Sequence, residues 1–188
     1  MGSPKSLLPI HGETFLDRLI RIFSRVANPV IVVLGANAGE ITSRIERADE
    51  ARFVTNPDPE RGMLSSLQCG LEAVPRDMEA ALFTPVDHPS VEAATLEKLV
   101  DAFEDAGAMV IVPCYNGAHG HPVLIRRPVM ADLLKLPPGS PASDVIHRYR
   151  AQTRYVAVDD PGVTSDIDDL ADYSRLLAAN PARSGQQP

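Results

Sequence analysis

The sequence predicts a three-layer α/β domain, a mostly parallel sheet between helices, and three features predict it. Strand-like apolar runs alternate with helix-period segments along most of the chain, the pattern of right-handed strand–helix–strand crossovers. Two runs, Pro29–Leu34 (PVIVVL) and Met109–Pro113 (MVIVP), are almost wholly apolar and rich in β-branched residues, as strands covered on both faces are. No linker interrupts the alternation. Residues 1–180 are therefore expected to form one domain and 181–188 a polar tail without periodicity.

The elements follow in order. Thr14–Val26 carries Phe15, Leu19, Ile22, Phe23 and Val26 on one stripe, so it reads as an amphipathic helix. Thr14 suits its N-cap, with Asp17 three residues on as in a capping box. The strand at Pro29–Leu34 ends at Gly35, and a helix is expected over Ala38–Arg47, then a strand at Arg52–Thr55. Met63–Val74 reads as a helix, Ala80–Thr84 as a strand, and Ser90–Ala106 as a helix entered through Pro89. Met109–Pro113 follows as a strand, with Val123–Ile125 as a candidate partner. Helices near Pro128–Lys135 and Ala142–Arg150, a strand at Tyr155–Val158 and a helix at Asp169–Ala179 complete the chain.

Composition narrows the function. The 188 residues hold 44% hydrophobic residues, enough for a sizeable core, and carry a formal charge of -7 with no Lys/Arg cluster. Nucleic-acid binders need a basic face to displace phosphate counterions, so that partner is not expected. An acidic chain that handles phosphates does so with metal ions or a few placed cations. Cys69 and Cys114 lie far apart in apolar surroundings and read as thiols of a cytoplasmic protein, with neither disulfide framework nor metal knuckle. No apolar run has membrane-spanning length and the start lacks a signal-peptide core, so no membrane partner is expected.

Polar residues at the carboxyl ends of strands carry the chemistry of such sheets. Ala80–Thr84 runs into Pro85-Val86-Asp87-His88-Pro89, which presents Asp87 either as a ligand for Mg²⁺ or as the cap of the next helix. Asp166-Ile167-Asp168-Asp169 is a second acidic group, expected to offer at most one carboxylate to the same metal or to cap the last helix. Lys5, near Gly2, can neutralise a polyphosphate as a point charge or be an ordinary solvated lysine. Asn56-Pro57-Asp58 and Gly62-Met63-Leu64-Ser65-Ser66-Leu67 lead into a helix N-terminus, which holds a base or ribose or is an ordinary cap. Gly117-Ala118-His119-Gly120-His121-Pro122 is expected as a turn whose backbone approaches a substrate. A zinc role for His119 or His121 is not expected, because no further ligand has matching spacing nearby.

The order of these motifs resembles the MobA/MocA-like NTP transferases, the molybdenum cofactor cytidylyl/guanylyltransferase-like family. Met1-Gly2-Ser3-Pro4-Lys5 is similar to the end of that family's signature loop, and the landmarks after it recur in the family's order as far as Asp172-Tyr173. The resemblance implies a Rossmann-like, nucleotide-diphospho-sugar transferase-like fold whose first strand and most of whose Gly-rich loop are not read here. The chain is expected to begin at an internal methionine and to be inactive without that segment. It also implies transfer of NMP, CMP favoured, from an NTP to a phosphate-bearing acceptor, with molybdopterin as the expected one. By the resemblance Lys5 and Asp87 are catalytic, and Asp87 and Asp168 hold Mg²⁺. Gly2, Lys5, Asn56, Gly62, Ser65, Ser66 and Leu67 bind the nucleotide, and Gly120, His121 and Pro122 line the acceptor side. Asp169-Leu170 departs from the Thr-Pro common in the family. Two alternatives stand beside this reading. One is a sugar- or polyol-phosphate nucleotidyltransferase; the other is a non-catalytic nucleotide-binding domain that assists a molybdoenzyme partner.

Overall fold

The computed structural model describes residues 4–35 and 37–179. Gly2, the opening methionine and the tail 181–188 lie outside the described residues. Among the described residues a 3-10 turn at Lys5–Leu7 comes first, then a short hairpin, β1 (Pro9–Ile10) against β2 (Glu13–Thr14), which leads into helix α1 (Phe15–Phe23). Thr14 is the N-cap of α1: its hydroxyl accepts the Asp17 N–H at 3.0 Å. Beyond the predicted stripe, Leu16 and Ile20 of α1 are buried as well. The helix is therefore covered on several sides, with Leu16 and Ile20 in one apolar cluster and Leu19, Ile22 and Phe23 in another.

Strand β3 (Ile31–Leu34), helix α2 (Ala38–Arg44) and strand β4 (Arg52–Thr55) form a parallel unit, with Ile31 opposite Arg52 and Leu34 opposite Thr55. Helix α3 (Met63–Glu72), strand β5 (Ala80–Phe83) and helix α4 (Ala93–Asp101) follow. Next come strand β6 (Val110–Tyr115), β7 (Ala118–His119), β8 (Val123–Arg126), helices α5 (Arg127–Leu134) and α6 (Ser143–Arg148), strand β9 (Thr153–Ala157) and helix α7 (Leu170–Ala179). The larger sheet is mixed. β8 lies antiparallel between β5 and β6, and β9 runs parallel to β6 from Val110↔Thr153 to Cys114↔Ala157.

Alternation along β6 makes the layers. Val110 and Val112 join Leu71 of α3, Val129 and Leu133 of α5 and Val145 of α6 on one face. Ile111 joins Leu99 of α4 and Leu124 on the other. The expected α/β layering is observed, and residues two apart share a face as a pleated strand requires.

The sheet has the unpaired edge expected at Pro29–Leu34 where the family's first strand is not read. Among the described residues β3 pairs with β4 alone and β5 with β8 alone. Between their free edges lies an apolar slot of about 1060 Å³, walled by Ile31, Val33, Ala81 and Phe83 and floored by Ile20 and Leu71. All four residues of β5 are only partly buried, as are Ile31 and Val33. In the apolar run at Pro29–Leu34, read as covered on both faces, Val32 and Leu34 are buried and Ile31 and Val33 partly so: Val33 meets α3, where a Cβ on Gly70 would stand 3.1 Å from it, and Ile31 lines the slot.

Candidate active site

The 3-10 turn at Lys5–Leu7 is anchored by the buried Leu7, and by Leu7 and Leu8 N–H bonds to the Pro4 and Lys5 carbonyls. It leaves Lys5 at a place where two distant carboxylates arrive. The Lys5 ammonium lies 2.7 Å from Asp168 Oδ1 and 4.0 Å from Asp87 Oδ2. Asp87 is held after β5 by a turn, His88 N–H to Pro85 C=O at 3.4 Å, and its own carbonyl accepts the Ile167 N–H at 2.9 Å. Asp168 is brought there by its neighbours. Ile167 packs with Ile10 and Phe15, while Tyr173 donates from its hydroxyl to the Pro9 carbonyl at 2.8 Å and sets its ring edge against Phe15.

The helix-cap readings resolve onto other residues. Asp169, not Asp168, caps α7, accepting the Ala171 and Asp172 N–H groups at 2.7 and 2.8 Å. Asp172 returns the capping by accepting from the Asp168 and Asp169 N–H groups, and these bonds hold its carboxyl below the usual carboxylate range. Asp87 caps nothing either. The N–H of Glu92 at the start of α4 goes to Asp160 instead. Asp166 is exposed and makes none of the ion pairs of Asp168. Asp87 thus keeps one carboxylate oxygen, Oδ1, buried and without a hydrogen-bond partner among the described residues.

The rest of the predicted site divides into two groups. Asn56 is buried and organises its own loop. Its side-chain N–H₂ donates to Ser65 and Ser66 hydroxyls at 2.9 and 3.0 Å, and its carbonyl accepts the Asp58 N–H. Gly62 sits at φ +85°, a conformation that excludes most side chains at the entrance to α3. Leu67 packs against the core cluster around Leu71. On the other side, His121 faces His88 with ring centroids 4.8 Å apart. Burial, and then the neighbouring His88, lower its pKa to about 4, so the imidazole is neutral near pH 7. His119 turns elsewhere and stacks on Tyr155 at 4.1 Å. Gly62, Ser66, Leu67 and His121 all line the apolar slot together with Pro85 and Val86, which joins both groups to the strand end that carries Asp87.

Gly120 is held tightly within the chain itself. A Cβ on Gly120 would stand 1.8 Å from the Val163 carbonyl oxygen, and the His121 N–H donates to that same carbonyl at 2.9 Å. A close backbone approach at Gly120 is made to the 3-10 turn Pro161–Thr164 of this chain. Two residues that sequence reasoning missed hold the Asp87 loop. Arg18 of α1 donates to the carbonyls of Pro89 and Val91 at 2.6 and 3.4 Å. The buried Asp160 accepts from Glu92 N–H, Thr95 hydroxyl and Gly162 N–H at 2.9, 2.6 and 2.9 Å. Asp160-Pro161-Gly162 is legible as a turn; nothing in sequence pairs Arg18 with a loop 71 residues away.

With this geometry in place, comparison with known proteins decides the family. The MobA-like NTP transferase domain matches residues 1–153. The chain belongs to that family. It is similar to the molybdenum cofactor cytidylyltransferase of Escherichia coli, 28% identical over 137 residues that make up 73% of this chain and 69% of that protein. The fold is similar to crystal structures of Rv0371c from Mycobacterium tuberculosis. One superposes with a TM-score of 0.83 at 29% identity, over 95% of this chain and 90% of that one. A manganese complex of Rv0371C gives 0.80 at 27% identity, over 94% and 92%. Among the described residues no helix is long and apolar enough to cross a membrane.

Proposed function

We propose that the chain is a nucleotidyltransferase that moves NMP, CMP by preference, from an NTP to a phosphate-bearing acceptor such as molybdopterin. The supporting observation is the meeting of Lys5, Asp87 and Asp168, with one Asp87 oxygen buried without a hydrogen-bond partner, 3.9 Å from His88 Nε2. Two carboxylates, one of them with a buried oxygen that accepts no hydrogen bond, are the donor chemistry that a hard divalent cation takes up. Asp87 and Asp168 would hold Mg²⁺, which supplies charge neutralisation on the phosphates when bound. A bound manganese in a structure of similar fold supports the metal, and the similar cytidylyltransferase supports CTP.

The chain's own residues define the rest. An oxygen of the acceptor phosphate attacks the α-phosphorus in line. The new P–O bond forms as the bond from the α-phosphorus to the bridging oxygen breaks, and pyrophosphate leaves with that oxygen and its electron pair. No protein nucleophile is needed. Lys5 brings a positive charge to the developing negative charge, fixed in place by the buried Leu7 beside it. The Asn56–Ser65–Ser66 set shapes the α3 N-terminus as the base or ribose side, and neutral His121 lies on the acceptor side, able to donate a hydrogen bond without adding charge.

Calorimetric titration of CTP and GTP in the presence of Mg²⁺, and pyrophosphate release with molybdopterin as acceptor, test the reading. The expected result is Mg²⁺-dependent binding, tighter for CTP, that Asp87→Asn abolishes without lowering thermal stability. Nucleotide binding unchanged in Asp87→Asn would sink it.

A further inference from the structure

Loop Pro85–Val91 is fastened from several sides. Its first point is the Ile167 N–H on the Asp87 carbonyl. Gly162 is packed so closely on Ser90 that a Cβ there would stand 2.5 Å from the Ser90 carbonyl carbon. Asp160 takes the Glu92 N–H at the loop's end. The remaining point is Arg18, whose fork reaches the Pro89 carbonyl at 2.6 Å and the Val91 carbonyl at 3.4 Å.

Arg18 is unusual for a structural arginine. Its side chain is only 16% exposed, and its nearest carboxylate, Glu13, stands 3.9 Å away while Arg21 takes the same carboxylate at 2.6 Å. Burial, and next the positive charge of Arg21, lower its pKa. An incompletely paired cation is thus kept in a partly dry place where its hydrogen bonds go to two loop carbonyls. A guanidinium bridges two such acceptors as a rigid fork, which an ammonium cannot do. Arg18 makes no hydrogen bond to Asp87, Asp168 or Lys5, so it acts on that cluster through the backbone.

We infer that Arg18 is a positioning residue for the metal-bearing carboxylate: it fixes the loop that follows Asp87 and so holds Asp87 in reach of Asp168. The inference rests on the reading of Asp87 as a metal ligand given above. Groups that orient metal ligands from behind typically change metal affinity by 10–100-fold when removed.

The test uses Mn²⁺ alone as probe, titrated into the full chain and followed by its EPR signal, with amide hydrogen exchange on the same samples. Arg18→Met is expected to weaken Mn²⁺ binding roughly tenfold, the lower end for such groups. Arg18→Lys, which keeps the charge and one carbonyl bond, recovers part of that loss. Exchange at the Ile167 and Glu92 amides speeds up in Arg18→Met, while Val110–Cys114 of β6 stays protected. Wild-type Mn²⁺ affinity in Arg18→Met overturns the inference. So does protection lost evenly through β6, or a failure of Arg18→Met to fold while Arg18→Lys binds as wild type. Asp87→Asn separates the two readings: if wild type and Asp87→Asn both bind no Mn²⁺, the metal site fails and the positioning role falls with it. If Asp87→Asn alone loses binding, the metal site stands whatever Arg18 does.

Discussion

Strands β5 and β6 are both apolar, yet they live in different surroundings. β6 is paired on both edges, by β8 and β9, and Val110 and Ile111 are fully buried. β5 is paired on one edge, and none of Ala80–Phe83 is buried. β3 shares the condition of β5, facing it across the slot. The difference teaches that an apolar run reports a capacity for burial; whether a neighbouring strand supplies it is settled by the rest of the sheet. Hydrophobic stabilisation follows area removed from water, so the two sides of this sheet should respond very differently to the same substitution.

The largest expected contrast uses one residue type in both places. Ile111→Ala removes a side chain with no exposure, packed between β8 and α4, and should cost about 2–5 kcal/mol through lost transfer energy and a cavity. Ile31→Ala trims a partly buried side chain that lines the open slot, where solvent enters and no closed cavity forms. It should cost roughly 1 kcal/mol. Urea midpoints at constant m-value measure both. Equal losses would mean that the slot is filled in solution and that the comparison between the strands is wrong.

A second contrast comes from pH. His121 lies where the slot meets the Asp87 side, and its folded pKa is about 4, against about 6.5 for an unperturbed histidine. Between these values the unfolded chain binds the proton and the folded one does not, so stability falls as pH drops from about 6.5 to about 4 and then levels. The full difference is up to about 3 kcal/mol, less what solvent screening removes at a partly exposed ring. His121→Asn should flatten this part of the stability–pH curve, and an NMR titration of the imidazole should give the low pKa directly. A His121 titrating near 6.5 would show that the slot admits water around the ring.

Much of this was legible from sequence, for identifiable reasons. Thr14 and Asp17 announced the start of α1 because capping is local chemistry, and the Arg52–Thr55 strand has its predicted bounds because turn residues flank it. Lys5, Asp87 and Asp168 were placed together only through the order of motifs; the structure gives the physical cause, Ile167 bonded to the Asp87 carbonyl and Tyr173 bonded to Pro9. The choice between Asp166 and Asp168 could not come from alternation, since residues two apart share a face and the buried Ile167 leaves both pointing outward. Lys5 makes that choice. Arg18 stayed hidden because its partners are backbone carbonyls far away in the chain, and the reach of Asp160 to Glu92 and Thr95 stayed hidden because those residues too are distant in sequence, which no residue pattern encodes.

The smallest expected effect on stability is also the most direct probe of the slot. A free strand edge beside apolar side chains is a site for pairing with another chain, and a charged side chain at the edge blocks such pairing. In the wild type, the walls around Ile31, Val33 and Phe83 should bind an environment-sensitive apolar dye, and sedimentation should show self-association that grows with concentration. Ile31→Lys keeps its aliphatic stem along the wall and extends its ammonium to water, so the unfolding free energy should change by no more than about 1 kcal/mol. Dye binding and self-association should both drop. If dye binding persists while association disappears, the edge is what pairs and the slot itself stays open. If the wild type binds no dye at all, the slot is closed in solution and the contrast drawn between β5 and β6 falls.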